Sequence, residues 1–426
     1  MAANPNTMNF QTVFSKEYQM SHFREPVYQI LADTRLESDL VKGQTISRSY
    51  ASDVQVNDMG ADGSYSTQAI TDNAETLTIN KEKEASIYIK RLDELQAHLP
   101  VKVKYGRKLA NALINQIDGD VLLAAYQGAG TTLDDGSFSG TAGNGVTITA
   151  SNVATVFFTA KQKLTLKNVM YNKRFQGGMK LEVPEGMPVA VISPEVLTFI
   201  ELYNGGKDTL IGDQTTRNGY SGYFAGFELF VSNALAWTAE LAFATIPVAS
   251  DTITINGVVL TAQANGGATA AGDFSISTTN DLAAANLVQL INGTGTPGAS
   301  NYIELSAANR RLLKNITASY SASTDILTLT SSGWGTVVVS ETLTSAADIW
   351  TPAKQQIHPI FALSKSLSLV VQKEPSLEEN FAAGKIGRDY IAWTVYGIKV
   401  FTDQAPMIVQ LSVRSDSFTA ASTLSK

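Results

Sequence analysis

The composition of the chain changes after Trp237 and changes back after Trp350. From Thr238 to Trp350, eight acidic and three basic side chains give eleven charges in 113 residues, whereas charged residues make up 17% of the whole chain. Thr, Ser, Ala and Gly dominate this block, and its short alternating runs predict strands. Both flanks mix helical and strand patterns. The sequence therefore predicts an α+β protein with a self-contained, mainly β insertion.

The N-terminal flank begins with an arm and a ribbon. The first forty residues carry scattered apolar side chains without a helical stripe, which indicates an extended arm. Alternation and β-branched residues predict strands from Thr45 to Val56 and from Glu75 to Ile89. Between them, the segment from Asn57 to Gly63 is rich in Gly, Asn and Asp, which is typical of a turn. An isolated two-stranded ribbon is only marginally stable, so another surface should cover it.

A long helix is predicted from about Lys104 to Tyr126. Its apolar residues recur every four positions, at Leu109, Leu113, Ile117 and Val121, which places them on one face. Gly119 lies inside this helix and costs about 1 kcal/mol relative to Ala, which a well-packed helix tolerates.

Helix N-termini are predicted at two further places. Ser151 is the expected N-cap of a second amphipathic helix. The segment from Met187 to Leu202 reads as a buried strand followed by a helix, with Ser193 as N-cap and Pro194 at the first helical position.

The remaining predicted elements lie in the insertion and after it. In the insertion, they are strands at Thr252 to Leu260, Asn315 to Tyr320 and Asp325 to Thr330, and a helix near Asp281 to Ile291. After the insertion, they are strands at Ser366 to Gln372, Asp389 to Tyr396, Ile398 to Phe401 and Met407 to Val413.

The overall composition excludes several classes of protein. With 44% hydrophobic residues and a net charge of −7, the chain is neither disordered nor a basic nucleic-acid reader. It has no cysteine, which excludes disulfides and thiolate sites. No secretory signal begins the chain, and polar residues interrupt its most apolar stretch, from Phe227 to Pro247, so cytoplasmic synthesis and no membrane contact are expected. The low charge fraction favours burial against other copies.

No catalytic, cofactor-binding or metal-binding residue is predicted. The histidines His22, His98 and His358 lie far apart and lack metal-ligand spacing, so each is interpreted as a surface or packing residue. No nucleophile elbow or phosphate-binding glycine motif occurs, and the Gly-rich stretches are interpreted as loops. The turn from Asn57 to Gly63 lacks the carboxylates of a calcium loop.

Basic residues cluster in two parts of the N-terminal flank. Interleaved acidic residues favour a solvated face, and the alternative is a surface that faces a polyanion. The basic residues are Lys81, Lys83, Lys90, Arg91, Lys102, Lys104, Arg107 and Lys108, followed by Lys161, Lys163, Lys167, Lys173 and Arg174.

The order of these parts resembles that of the major capsid proteins of tailed bacteriophages. An arm, a long hairpin, a long helix and an α+β segment containing Ser193-Pro194-Glu195-Val196 precede the string from Gly219 to Asn233. The strings from His358 to Gln372 and from Tyr396 to Phe401 follow the insertion. The resemblance covers residues 1–237 and 351–426 and implies the α+β tailed-phage capsid fold.

The resemblance also implies a division into domains. The N-terminal arm would be residues 1–43 and the extended loop residues 44–90. The peripheral domain, with its spine helix, would comprise residues 91–219 and 380–401. The axial domain and the C-terminal strand would comprise residues 220–237, 351–379 and 402–426. Residues 238–350 would form the insertion domain.

By the same resemblance, the protein would be a non-enzymatic shell subunit in the virion, forming hexamers and pentamers that enclose double-stranded DNA. Expected partners are neighbouring capsomers, a portal, cement or decoration proteins, and the packaged DNA, bound without sequence preference. Some family members join subunits through a lysine of the extended loop, but residues 51–80 contain no lysine, so non-covalent interlocking is expected. No long charged helical segment precedes the arm, so any scaffolding would be a separate protein.

Three alternatives remain open. A bacterial nanocompartment shell would share the architecture and carry a protein cargo, although the large β insertion argues against it. A secreted β-rich adhesin or surface-layer subunit would suit the Thr/Ser-rich insertion, but the missing secretion signal argues against it. An enzyme would need a site formed between subunits, and no residue pattern supports one.

Overall fold

The computed structural model describes residues 25–39, 43–51, 54–69, 72–92, 101–167, 186–207, 222–332, 337–381, 384 and 386–415. Of the predicted arm, residues 1–43, the description includes residues 25–39 and Gly43. His22, His98, Lys173 and Arg174 lie outside the described residues.

The elements are numbered in chain order. The α-helices are α1 (Tyr28–Leu31), α2 (Val101–Gln127), α3 (Val153–Leu166), α4 (Pro194–Gly205), α5 (Asn280–Asn292) and α6 (Ala307–Leu312). The first strands are β1 (Ala32–Asp33), β2 (Thr45–Ala51), β3 (Asp72–Thr78), β4 (Lys81–Lys90), β5 (Thr131–Leu133), β6 (Pro188–Ile192), β7 (Tyr223–Phe224), β8 (Phe227–Val231) and β9 (Trp237–Ala242). The others are β10 (Thr252–Ile255), β11 (Val258–Gln263), β12 (Asp273–Ser275), β13 (Ile316–Ser321), β14 (Ile326–Ser331), β15 (Val339–Glu341), β16 (Gln356–Ile357), β17 (Ile360–Leu363), β18 (Leu367–Phe381), β19 (Gly387–Lys399), β20 (Ile408–Leu411) and β21 (Val413–Arg414).

A long hairpin of β18 and β19 forms the centre of one sheet, here called the hairpin sheet, with the order β1-β18-β19-β4. The helix α2 packs on one face of this sheet. Its buried Leu109 and Leu113 contact Tyr390 and Ala392 of β19. Because alternate residues of a strand point to one face, Ala85, Ile87 and Ile89 of β4 join the same cluster.

A six-stranded mixed sheet, here called the central sheet, has the order β5-β20-β17-β6-β8-β7. Buried apolar side chains of the helices α3 and α4 pack on this sheet. Phe157 of α3 is fully buried and makes edge-to-face contacts with Phe224, Phe227 and Phe361, at centroid distances of 5.0, 6.4 and 4.8 Å. Aromatic pairs favour this arrangement, so the cluster fixes α3 on the sheet.

The insertion contributes strands to two small sheets and contains the helices α5 and α6. One sheet has the order β12-β11-β10-β15, and the other has the order β13-β14-β9-β16-β21. In the second sheet, β16 and β21 come from residues after the insertion. Backbone hydrogen bonds between β9 and β16, at Trp237 and Thr238, therefore continue this sheet from the insertion into the rest of the protein.

Several predicted strands differ from the observed ones. The predicted strand from Glu75 to Ile89 is two strands, because β3 pairs with β2 whereas β4 pairs with β19. The strand predicted from Ser366 to Gln372 continues to Phe381, so the predicted domain boundary between residues 379 and 380 falls inside β18. The strands predicted at Asp389 to Tyr396 and Ile398 to Phe401 form one strand, which ends at Lys399.

The helix predictions are confirmed more closely. The predicted helix from Lys104 to Tyr126 lies within α2. At α4, Pro194 occupies the first turn and the Ser193 hydroxyl accepts the Val196 amide at 3.4 Å, as predicted. Ser151 is not the N-cap of α3, because that position is taken by Asn152, whose side chain bonds the preceding turn at Thr147 and Thr149.

Candidate assembly surfaces

The strands β2 and β3 form a two-stranded ribbon that ends in an exposed apolar tip. The tip comprises residues 54–69, and the turn predicted there is confirmed, since the Gly60 amide donates to the Ser64 carbonyl at 2.9 Å. The Gln68 side chain accepts the Gln55 backbone amide at 3.0 Å and donates to the Gln55 carbonyl at 2.8 Å, which links the two sides of the tip. Its large apolar side chains are nevertheless in solvent, with exposed fractions of 70% for Val54, 99% for Val56, 71% for Met59 and 81% for Tyr65.

A second exposed apolar surface lies at the end of the hairpin sheet where β18 ends and β19 begins, and we call it the distal patch. Its members are Tyr88, Leu92, Phe381 and Ile386, of which Phe381 is 82% and Ile386 79% exposed. The Ile386 carbonyl accepts the Tyr88 hydroxyl at 3.2 Å and the Arg91 amide at 3.3 Å, which holds the patch together. Lys90 and Arg91 beside it are exposed.

The root of the arm is anchored on α2. Asp118 is fully buried, and its Oδ1 accepts the backbone amides of Val27 and Tyr28 at 2.9 and 2.8 Å. These amides lie at the N-terminus of α1, where helical backbone donors lack internal partners. The following residues of β1 pair with β18, so the arm root is fixed on two elements.

A buried polar cluster joins α2 to the hairpin sheet. Asp120 Oδ2 accepts the Tyr396 hydroxyl at 2.8 Å and lies 3.2 Å from Lys81 Nζ. Gln116 donates to the other carboxylate oxygen at 3.1 Å. Burial and the neighbouring carboxylate raise the pKa of Tyr396 above its ordinary value of 10.

The structure separates the clustered basic residues. Lys81 pairs with Asp120 within the subunit. Lys83 is half-buried on the same face of β4. Lys90, Arg91, Arg107, Lys108 and Lys167 are exposed, whereas Lys161 and Lys163 are half-buried. For Lys102 and Lys104, the backbone lies in α2 and the side chains are outside the description.

His358 is a packing residue, as expected from the sequence. It is 1% exposed, its ring lies 4.1 Å from that of Tyr126, and its Nε2 lies 2.8 Å from the Thr238 hydroxyl. Burial disfavours the charged imidazolium and lowers the pKa of His358 to about 3. The ring is therefore neutral at physiological pH.

Within the described ranges, no group of His, Asp or Glu side chains could hold a metal ion. None of the described helices combines the length and apolar character needed to cross a bilayer.

Comparisons with known proteins identify the fold. No protein-family profile matches the sequence, and no curated protein sequence matches it. A capsid structure of cyanophage P-SCSP1u is similar, with a TM-score of 0.52 and 12% identity over 95% of this chain and 93% of that one. Structures of Mycobacterium phage Che8 (15% identity, 95% and 97% coverage) and of the mature capsid of bacteriophage PhiM1 (9% identity, 95% and 92% coverage) each give a TM-score of 0.49. The chain therefore has the α+β fold of tailed-phage major capsid proteins.

Proposed function

We propose that the protein is a structural, non-enzymatic shell subunit that assembles into the hexamers and pentamers of an icosahedral capsid. The observation that carries this proposal is the apolar tip of the ribbon, projecting from a chain that has a capsid fold. Exposed apolar side chains at the end of a two-stranded projection gain stability when another surface covers them. A shell of identical subunits provides such a surface on each neighbour.

The distal patch of an adjacent subunit is the surface that fits the ribbon tip. Both surfaces are apolar, and their charges are opposite. The tip carries Asp58 and Asp62 and no basic residue, whereas the distal patch lies beside Lys90 and Arg91. A contact between two different surfaces of the same protein is heterologous, and it closes into rings when the rotation is right. In the proposed shell, this contact closes into rings of five and six.

We assign the parts of the fold as the sequence resemblance implies. The ribbon belongs to the extended loop, residues 44–90, and α2 is the spine helix of a peripheral domain, residues 91–219 and 380–401. The axial domain comprises residues 220–237, 351–379 and 402–426, and the insertion domain residues 238–350. Because β18 is continuous, the peripheral and axial parts share a strand instead of meeting at a linker.

The packaged molecule is proposed to be double-stranded DNA, bound without sequence preference. Arg107 and Lys108 on α2 are exposed and could neutralise phosphates. The shell would be non-covalent, because residues 51–80 contain no lysine for a cross-link through the extended loop. Its further partners would be a portal, cement or decoration proteins and scaffolding proteins. Its location would be the virion, after synthesis in the host bacterial cytoplasm.

Electron microscopy of the purified full chain, alone and co-expressed with its genomic neighbours, tests the proposal. Closed isometric shells or rings of five and six are expected. Nuclease-protected double-stranded DNA inside the shells would support the capsid function, whereas a protein cargo without DNA would favour a nanocompartment. A monomer under both conditions would overturn the shell function.

A further inference from the structure

The base of the ribbon is seated on its own chain through an apolar cluster. Leu77 and Ile79 from the end of β3 pack with Val370 of β18 and Phe401 after β19, and all four side chains are buried. Gly397 permits this close approach. A Cβ at that position would lie 2.7 Å from the Thr78 carbonyl oxygen and 2.9 Å from a Leu77 methyl carbon, so a larger residue would displace the ribbon.

Polar contacts surround this apolar cluster on both strands of the ribbon. Arg48 of β2 forms an ion pair with Asp403, and its guanidinium lies 4.6 Å from the centroid of the Phe401 ring. Glu75 of β3 accepts the Thr402 amide at 3.2 Å and also the Thr402 hydroxyl. We call the contacts of Arg48 and Glu75 with residues 401–403 the base clamp.

Two further hydrogen bonds close the ribbon at the same end. Lys399 Nζ donates to the Thr76 carbonyl at 2.8 Å, and the Ile79 amide donates to the Gln44 carbonyl at 2.8 Å. The tip differs from the base in this respect. The side-chain hydrogen bonds described for residues 54–69 join residues of the tip to one another, at Gln55, Gln68, Asn57, Ser66, Asp62 and Ser64.

We infer that the ribbon is preformed. The base clamp and the close contact of Leu77 and Thr78 with Gly397 fix its direction within the single subunit, before any neighbour is contacted. A two-stranded ribbon alone would open readily, but apolar burial and contacts to a second element stabilise its base. The inference deepens the proposed function, on which its meaning for shell assembly rests. The preformed ribbon itself is a property of the single subunit.

Hydrogen exchange on the full chain, held unassembled at low concentration, tests this inference. In the wild type, the amides of β2 and β3 are expected to exchange at least about tenfold more slowly than those of the tip. Gly397→Val should remove this difference by forcing the base away from β19, while favouring the strand conformation of β19 itself. Gly298→Ala is the matched control, because a Cβ there meets no atom within 4 Å.

A second variant keeps the inference testable if Gly397→Val does not fold. Arg48→Ala removes one side of the base clamp from a partly exposed position, and it should accelerate exchange in β2 and β3 without changing exchange in α2. Equal exchange of base and tip in the wild-type subunit would overturn the inference. Unchanged protection in both variants would overturn it as well. Because the readout is taken on unassembled protein, failure to form shells would contradict the proposed function and leave this result unaffected.

Discussion

Asp118 and Asp120 lie two residues apart on α2 and bind different neighbours of that helix. Two residues correspond to about 200° of rotation around an α-helix, so the two carboxylates point in nearly opposite directions. Asp118 accepts the amides of Val27 and Tyr28 at the arm root, whereas Asp120 accepts the hydroxyl of Tyr396 in the hairpin sheet. Gly119 stands between them. The arm root and the hairpin sheet are thus held by one turn of one helix.

Replacing Asp118 should destabilise the subunit and release the arm root. Asp118→Ala leaves the Val27 and Tyr28 amides without their acceptor, and we expect a loss of about 2 to 3 kcal/mol in the free energy of unfolding. Denaturant unfolding of the full chain measures this loss. Asp118→Asn keeps an acceptor oxygen, so it should cost less than the alanine variant. Equal stability of the wild type and Asp118→Ala would contradict the anchoring role.

The hydroxyl of Tyr396 should contribute to stability through Asp120. Tyr396→Phe removes a donor from a buried carboxylate, which keeps Lys81 and Gln116 as partners, and we expect a loss of about 1 to 3 kcal/mol. Thermal or denaturant unfolding measures it. Tyr65→Phe is the control, because Tyr65 is 81% exposed and should tolerate the same change without loss. Indistinguishable stabilities for the two variants would argue against the buried cluster.

Polar substitutions in the ribbon tip should block assembly and leave the subunit intact. In Val56→Ser with Met59→Ser, the lost side chains are exposed, so the unfolding free energy should stay within about 0.5 kcal/mol of the wild type. Shell formation, followed by electron microscopy and sedimentation, should be abolished or greatly reduced. Val259→Ser, at a half-exposed valine of the insertion, is the matched control. Normal shells from the tip variant would refute the proposed contact.

The stability of the subunit should decrease as the pH falls from about 6.5 towards 3. The folded protein holds the pKa of His358 at about 3, below the ordinary value of 6.5, so only the unfolded state takes up a proton in this window. The loss is about 1.4 kcal/mol for each pH unit. Denaturant unfolding at pH 6.5, 5.5 and 4.5 measures it, and because carboxyl groups begin to titrate at the lowest of these values, the loss is taken as the difference from a variant without this imidazole.

His358→Gln supplies the control for this pH dependence. The variant has no imidazole at position 358, so its stability should change by about 1.4 kcal/mol less per pH unit than that of the wild type. A slope equal to that of the wild type would show that another group causes the pH dependence.

The exposed basic residues of α2 should affect DNA binding and not subunit stability. If Arg107 and Lys108 each neutralise a phosphate, Arg107→Gln with Lys108→Gln should lower the slope of log affinity against log salt by about 1.8. Titration of the subunit with duplex DNA at several salt concentrations measures this slope. Arg311→Gln, at an exposed arginine of the insertion helix α6, should leave it unchanged. An unaltered slope in the double variant would exclude these residues from the DNA-facing surface.

Local signals in the sequence predicted helix α4 because its determinants are adjacent in the chain. Ser193 and Pro194 specify the helix start without help from distant residues. The sequence does not predict which strands pair with each other. The alternation from Glu75 to Ile89 hardly changes at Ile79, yet β3 and β4 pair with different strands, and alternation carries no information about the partner.

The strand β18 is longer than the strand predicted from the sequence, and it contains a proline. Pro375 lacks a backbone donor, and a proline within a strand usually marks an edge or a bulge. In the structure, the register between β18 and β19 shifts on both sides of Lys373 and up to Ser376, so the strand passes Pro375 through an irregularity and continues.

The apolar tip of the ribbon is visible in the sequence as Val54, Val56, Met59 and Tyr65, but its exposure is not. The base clamp is harder still to foresee, because Arg48 and Asp403 are separated by most of the chain. Contacts of this kind depend on the whole topology, and one sequence contains no signal that pairs them.

The hydrogen bonds between β9 and β16 have a mechanical consequence for the insertion. Trp237 and Thr238, where the chain enters it, stand in register with Ile357 and Gln356, where the chain has returned. A domain tethered by two free linkers can swing, because only rotation about single bonds opposes the movement. Here a tilt of the insertion would have to break the hydrogen bonds that pair β9 with β16. The insertion should therefore move together with β16 and β21 as one rigid unit.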